Sequence, residues 1–173
     1  MNRGELAKEY FLKGYNCSQA VLLAFSDLTG LDAPLAAKLA APFGGGMGRQ
    51  REVCGAVSGM LMVFGILHGY DAASPTAAED KKLHYTRVQE LCRRFREGNG
   101  SIVCRELLAS HAARLLAEKQ ERDAQTDAML SDAPTPTPRT EAYYQKRPCP
   151  ELVAYAAELL QTYLDELNGS DGM

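Results

Sequence analysis

The chain has 173 residues, of which 46% are hydrophobic and 24% are charged, and its formal net charge is −3. These proportions are those of a globular protein, and a chain of this length fits one domain that needs neither disulfides nor metal merely to fold. The small acidic excess argues against a broad nucleic-acid surface, which needs an excess of basic residues.

The residue types favour helices over strands. Leu and Ala together number 46, whereas Val and Ile together number 9. Strong helix formers therefore far outnumber the β-branched residues that favour strands. The sequence predicts an all-α protein, a single-domain bundle of about seven helices that covers residues 1–173.

The first four helices are predicted over about 4–13, 17–29, 34–41 and 52–68. Asn16 follows the first break and is a candidate N-cap for the second helix. The fourth segment is almost wholly apolar, which predicts a buried central helix. Gly55 and Gly59 lie one turn apart within it, so they let a second backbone come very close.

The last three helices are predicted over about 76–97, 102–119 and 150–167. Before the last of them, a polar stretch leads into a Pro-rich segment, about 131–140, where a proline at every second position forbids helix. This segment is either a mobile linker or a strap laid over the bundle. The last residues, 169–173, are expected to fray.

The predicted compartment is the cytoplasm. No run of about 18 apolar residues occurs, and the first residues lack the apolar core of a secretory signal, so we predict no membrane span. Because the cytoplasm is reducing, the five cysteines are predicted to be thiols, metal ligands or redox groups rather than permanent disulfides.

Four of the five cysteines fall at predicted helix N-termini: Cys17, Cys54, Cys104 and Cys149. The N-terminal end of a helix carries a partial positive charge and free N–H groups, which favour thiolate over thiol. We therefore expect these four sulfurs to meet at one end of the bundle and to be ionised there. Cys92 lies in the middle of a helix on an apolar stripe and is interpreted as a small buried hydrophobe.

The use of these cysteines stays open on spacing alone. They are far apart in the chain and form no Cys-x-x-Cys pair, which argues against the usual zinc-ribbon and thioredoxin patterns. Four converging thiolates can hold an iron–sulfur cluster or, as an alternative, a tetrahedral zinc ion. Without metal, a pair such as Cys17 and Cys54 can act as catalytic redox thiols that form a reversible disulfide.

A glycine-rich loop precedes the central helix and is predicted to roof the cysteine site. No Gly-Lys-Ser/Thr follows it and no strand precedes it, so nucleotide binding is disfavoured. The candidate cofactor-binding residues are Gly44, Gly45, Gly46, Gly48 and Arg49. The glycines let backbone approach a cofactor or Cys54 closely. Arg49 and Arg51 either neutralise an anionic cluster or thiolate, or are solvated.

Five segments together carry a family resemblance: 14–20 (GYNCSQA), 43–49 (FGGGMGR), 54–59 (CGAVSG), 100–107 (GSIVCREL) and 149–150 (CP). In this order they resemble the redox-active proteins named for the pattern C…GCAxxG…C…C, and they extend over most of the chain. One departure is that Val53 precedes Cys54 and Gly55 follows it, where the pattern has Gly and Ala. The family also resembles a domain of split-Soret cytochromes, which implies an iron–sulfur centre, although this chain has no Cys-x-x-Cys-His for covalent haem.

The resemblance implies a metal or redox role for Cys17, Cys54, Cys104 and Cys149 and none for Cys92. We predict an electron-transfer or redox-sensing protein with an iron–sulfur cluster as the leading cofactor, an oxidoreductase or electron carrier without a named substrate. A metal-free thiol–disulfide protein and a structural-zinc interaction module are the alternatives, and an enzyme with a small-molecule substrate in the glycine-loop pocket is least favoured. The expected partner is an unidentified redox protein, not nucleic acid or a membrane. A homodimer stays open because a second copy can cover the apolar central helix.

Overall fold

The computed structural model describes residues 2–119 and 124–170. Its helices are α1 (Arg3–Leu12), α2 (Cys17–Leu23), α3 (Ser26–Thr29), α4 (Ala33–Ala40), α5 (Gly44–Met47), α6 (Gly55–His68), α7 (Ala77–Asn99), α8 (Cys104–Lys119), α9 (Ala124–Leu130), α10 (Glu141–Lys146) and α11 (Cys149–Ser170), with a 3₁₀ turn at Ala41–Phe43. The described residues contain no strand, so the predicted all-α class is confirmed.

Local signals fix several helix ends. Asn2 and Asn16 each accept a hydrogen bond from the third residue of the helix that follows, and the side chain of that residue bonds back to the cap. The Asp32 carboxylate caps α4 by accepting a hydrogen bond from the Leu35 N–H, without the return bond. Gly30 and Gly100 end α3 and α7 in left-handed backbone, with φ of 67° and 88°. The N-cap predicted at Asn16 is therefore confirmed.

The buried central helix that the sequence predicts is α6, which packs against α2 and α11. Val57, Met60 and Phe64 are fully buried on it, and each such side chain contributes roughly 1.5–3 kcal/mol on leaving water. At Gly59, an added Cβ would lie 2.6 Å from the carbonyl oxygen of Ser18 on α2. The close backbone approach predicted for the small residues of α6 is thus confirmed.

The second predicted helix is wrong as a single element. The structure divides it into α2 and α3, because Phe25 leaves helical geometry with φ −117° and ψ 20°. The Ser26 hydroxyl donates a hydrogen bond to the Leu23 carbonyl at 2.7 Å. This bond replaces the backbone hydrogen bond that the carbonyl would accept in a continuous helix.

Three short helices have no counterpart among the predicted elements. The first, α5, is a four-residue turn within the predicted glycine loop. The others, α9 and α10, have seven and six residues, which are too few for a helical period to be read reliably. The Pro-rich segment between them is free of helix, as predicted. Part of the predicted polar stretch, 120–123, lies outside the described residues, as do 171–173 of the predicted frayed end. Ser170 still belongs to α11. Among the described helices, none combines the length and the apolar content needed to cross a bilayer.

Candidate functional site

One cavity of about 290 Å³ is lined by four cysteines that are far apart in the sequence. Cys17, Cys104 and Cys149 are the first residues of α2, α8 and α11. Cys54 is the N-cap of α6. Cys92, on α7, is not among the residues that line the cavity and packs half-buried against the hydrophobic core. The structure therefore brings four helix N-termini and their sulfurs to one place in the bundle.

A short backbone ladder holds two of these cysteines side by side. Val53 and Val103 form an isolated antiparallel β-bridge. The Cys54 N–H donates to the Ile102 carbonyl at 2.8 Å, and the Cys104 N–H donates to the Glu52 carbonyl at 2.6 Å. The segments that enter α6 and α8 are thereby fixed to each other, and their first sulfurs with them.

The glycine-rich loop owes its shape to left-handed backbone. Positive φ angles occur at Gly45, Gly46, Met47, Gly48, Arg49 and Arg51. Such a conformation costs roughly 1–3 kcal/mol at a residue other than glycine, so the surrounding packing must hold the loop in place. It also explains why α6 begins at Gly55 and not near Glu52, where the sequence places its start.

Four of the five predicted cofactor-binding residues line the cavity: Gly44, Gly45, Gly48 and Arg49. Gly46 supports the wall instead. An added Cβ there would lie 2.7 Å from the Cβ of Cys104, so only glycine lets the loop pass Cys104 this closely.

Arginines supply the charge of the cavity lining: Arg49, Arg51, Arg139 and Arg147. Arg51 is 4% exposed and Arg147 is 7% exposed, so neither is solvated. Arg51 donates to the Ser131 carbonyl at 2.7 Å and Arg147 to the Ala128 carbonyl at 3.2 Å. Among the described residues, neither guanidinium forms an ion pair with a carboxylate. A buried charge without a counter-charge is costly, so this cavity favours an anion.

The Pro-rich segment 131–140 is a strap that covers the cavity, with Pro134, Pro136 and Thr137 in the lining. Arg139 fastens one end of it to α1. Its guanidinium donates to the carbonyls of Phe11 and Tyr15 at 3.1 and 3.2 Å and lies 4.5 Å from the centre of the Phe11 ring. The sequence leaves open whether this segment is a mobile linker or a strap laid over the bundle, and the structure shows the strap.

We expect Arg139→Ala to free this end of the strap. The lost hydrogen bonds and cation–π contact amount to about 2 kcal/mol, which makes local opening roughly 30-fold more frequent. Limited digestion with a protease of broad specificity, at low protease concentration, should then cut within 131–140 faster by a similar factor. Arg93→Ala, an exposed arginine of α7, is the control, and equal cleavage rates for the two variants would contradict the role of Arg139.

Burial raises the pKa of three of the four thiols. Desolvation raises the pKa of Cys54 to about 12 and raises the pKa of Cys104 as well. A hydrogen bond to Cys149, together with burial, raises the pKa of Cys17 well above its ordinary value. The same hydrogen bond and the nearby arginines lower the pKa of Cys149 to about 7. For the metal-free protein, the expectation that all four sulfurs are ionised is therefore wrong, because the hydrogen bond from Cys17 and the nearby arginines outweigh desolvation only at Cys149.

The metal-free protein should lose stability at alkaline pH. Cys54 has a folded pKa of about 12 against an ordinary 9.0, so the native state keeps this proton where the unfolded chain releases it. The contribution of this bound proton to the free energy of unfolding is complete below pH 9.0, and it is lost as the pH rises towards the folded pKa of about 12. Between about pH 8 and about pH 10.5 we expect the loss in the free energy of unfolding, measured with urea, to be about 2 kcal/mol larger in wild type than in Cys54→Ser, because the other buried thiols contribute equally to both proteins. Equal losses in the two proteins would contradict the assignment.

The fold and the site define an all-α protein whose helix N-termini carry cysteines into a cavity closed by a glycine loop and a strap. Residues 15–163 match the family described as "Putative redox-active protein (C_GCAxxG_C_C)". The chain belongs to this family, which confirms the resemblance indicated by its motifs and makes it a redox-active protein at the level at which the family is described. No curated protein and no solved structure shows significant similarity to the chain.

Sequence reasoning missed Arg139 and Arg147 as part of the cavity. Their guanidiniums lie 5.1 and 4.5 Å from the centre of the Tyr143 ring, which is itself in the lining. A signal was present for Arg147, which stands two residues before Cys149. Arg139 only ends the proline run, and nothing in the sequence shows that the strap returns to the cysteines.

Proposed function

We propose that the protein transfers electrons or senses redox state through an iron–sulfur cluster held by Cys17, Cys54, Cys104 and Cys149. The observation that carries the proposal is one cavity that joins four cysteines to buried guanidiniums, which have no carboxylate partner within residues 2–119 and 124–170. A thiolate-bound cluster is anionic and takes cysteine ligands. A single group of this kind therefore satisfies both the sulfur donors and the unpaired positive charge.

The volume of the cavity and the absence of a three-ligand group among the described residues support a cluster rather than a single ion. A tetrahedral zinc ion needs its sulfur ligands within about 2.3 Å of one point. Within residues 2–119 and 124–170, no three Cys, His, Asp or Glu side chains are arranged to hold a metal ion. Because a cluster distributes its cysteine ligands over several iron atoms, it suits sulfurs placed around a cavity of about 290 Å³.

The chain's own contribution is binding, shielding and charge. A bound cluster would supply one-electron chemistry, the four sulfurs would hold it, and the strap and glycine loop would limit the access of water. Arg51 and Arg147 place positive charge beside the site. Positive charge stabilises the reduced form, which carries one more electron, so these arginines raise the reduction potential.

The test is purification without oxygen, followed by iron and acid-labile sulfide analysis and a visible spectrum. We expect both elements in cluster stoichiometry and visible absorption that dithionite bleaches. Stoichiometric zinc without iron would contradict the cluster and favour the structural-zinc module. A protein that stays colourless and metal-free after iron and sulfide are supplied without oxygen would also contradict the cluster.

A metal-free thiol–disulfide function is the second candidate, and one contact favours it. The Cys17 thiol donates a hydrogen bond to Cys149, whose pKa is about 7, so a thiol and an attacking thiolate stand together. The Cys149 thiolate would attack a partner disulfide and expel one partner thiolate, and Cys17 would then displace the second. The two thiols lose two electrons, which the partner disulfide gains. This contact joins Cys17 to Cys149, whereas the sequence-based example pairs it with Cys54.

Thiol counting separates this candidate from the cluster. All five cysteines are free thiols in the structure. Oxidation of the metal-free protein by a small disulfide should remove two thiols from wild type and from Cys54→Ser, and none from Cys149→Ser. A protein in which Cys54→Ser also blocks the oxidation would contradict the Cys17–Cys149 pair.

A further inference from the structure

We infer that the mouth of the cysteine cavity is a docking surface for an acidic electron-carrier protein. The mouth is the part of the lining at the protein surface, and its residues are Arg49 and Arg139 with Gly48, Pro134 and Pro136. The inference rests on the proposed function, since it names the class of partner with which that site exchanges electrons.

The charge at the mouth is opposite to that of the whole chain. The formal net charge of the chain is −3, yet the charged side chains in the cavity lining are all arginines. Arg49 and Arg139 are half-buried, and they donate to backbone carbonyls, at 2.6 Å to Ala133 and 3.1 Å to Phe11. Neither guanidinium forms an ion pair with a carboxylate in the part of the chain that the structure describes, so these backbone contacts leave its positive charge uncompensated there.

The carboxylates of Glu52 and Asp132 do not cancel this charge. Glu52, at the end of the glycine loop, pairs with Arg105, and so adds no net charge. Asp132, exposed on the strap, supplies one negative charge near the four positive charges of the lining. A cluster held by four thiolates would carry a net charge of about −2 when oxidised and about −3 when reduced. The buried Arg51 and Arg147 would offset most of that charge. Arg49 and Arg139 are only half-buried and face a single carboxylate on the strap, so the surface of the mouth keeps a local positive charge in the loaded protein.

The mouth also offers apolar contact around its charges. Pro134 and Pro136 of the mouth are exposed on the strap, and Met47, which precedes Gly48 in the chain but does not line the cavity, is 40% exposed. Protein interfaces favour arginine and methionine beside apolar area. A carrier with carboxylates around an apolar patch fits this surface, whereas a basic carrier is repelled. Attraction of this kind raises association rates by about 10- to 1,000-fold at low salt.

The experiment uses one electron acceptor in two charge states. Ferric cytochrome c is taken in its native basic form and after succinylation of its lysines, which makes it acidic. The iron-loaded protein is reduced with dithionite, freed of excess reductant and mixed with each cytochrome. Each transfer oxidises the cluster by one electron and reduces one haem iron from ferric to ferrous. With the succinylated form, we expect the rate to fall at least about 10-fold between low salt and about 0.5 M salt.

The native cytochrome gives the contrasting expectation. Its rate should stay level or rise with salt, because added ions screen repulsion at the mouth. If the net charge of −3 alone governed docking, the native cytochrome would react faster than the succinylated form, and added salt would slow its reaction. That reverse pattern would overturn the inference.

Variants assign the effect to the mouth. Arg49→Gln should flatten the salt dependence seen with the succinylated cytochrome, and Arg49→Lys should retain it. Arg93→Gln changes the net charge equally on exposed α7 surface, and it should leave the salt dependence as in wild type. Equal effects of Arg49→Gln and Arg93→Gln would show that net charge, not the mouth, governs docking, and would overturn the inference.

Binding measured apart from electron transfer distinguishes this inference from the proposed function. Calorimetric titration at low salt should show association with the succinylated cytochrome and none with the native form. Association without electron transfer would keep the docking surface and reject the cluster. Electron transfer with no preference between the two cytochromes would keep the cluster and reject the docking surface.

Discussion

Serine in place of Cys17, Cys54, Cys104 or Cys149 should lower the affinity for iron on the order of 100-fold for each substitution, because each would take one ligand from the proposed cluster. All four side chains line the same cavity, and serine keeps the size of the side chain while it removes the thiolate ligand. Iron per chain after anaerobic reconstitution is the measurement, with circular dichroism to establish that each variant folds.

The matched control is Cys92→Ser. Cys92 is half-buried on α7 and does not line the cavity, so this variant should retain the iron of wild type. A variant of one of the four that keeps full iron would remove that cysteine from the ligand set. Equal iron loss in folded Cys92→Ser would show that the assay reports something other than ligation.

Gly59→Ala should destabilise the protein by about 3 kcal/mol. An added Cβ would lie 2.6 Å from the Ser18 carbonyl oxygen and 3.0 Å from the Cβ of Val21, and neither belongs to a flexible side-chain end. The α2 and α6 helices must then move apart, and the sulfurs of Cys17 and Cys54 move with them. Urea unfolding of the metal-free protein measures the free energy directly.

The control lies in the same helix. Nothing stands within 4 Å of a Cβ added at Gly65, so Gly65→Ala should raise the free energy of unfolding by about 0.5–1 kcal/mol through helix propensity. A Gly59→Ala variant that is as stable as wild type would contradict the close contact of α2 with α6.

Much of the fold was predictable because its signals are local. The apolar run of α6 and the small residues Gly55 and Gly59 are visible in the chain itself, and so is the cap at Asn16. The bend at Phe25 was not predictable, since the apolar stripe continues through it. Short helices such as α10 carry too few periods to be distinguished from a turn.

The candidate site was predictable in part, for a related reason. A cysteine at the start of a helix can be recognised in sequence, and a bundle gives such helix ends a place to meet. The protonation of Cys54 could not be predicted, because it depends on how completely the fold removes water from the thiol. The role of Arg147 depends likewise on a strap that crosses the cavity, which no local pattern encodes.

Mössbauer spectroscopy of protein reconstituted with ⁵⁷Fe is the most direct measurement of whether Cys17, Cys54, Cys104 and Cys149 hold one cluster. We predict bound iron in a tetrahedral all-sulfur environment, with the spectrum changing on addition of one reducing equivalent per cluster. Iron bound through oxygen or nitrogen, or no bound iron in a folded protein, would contradict the account.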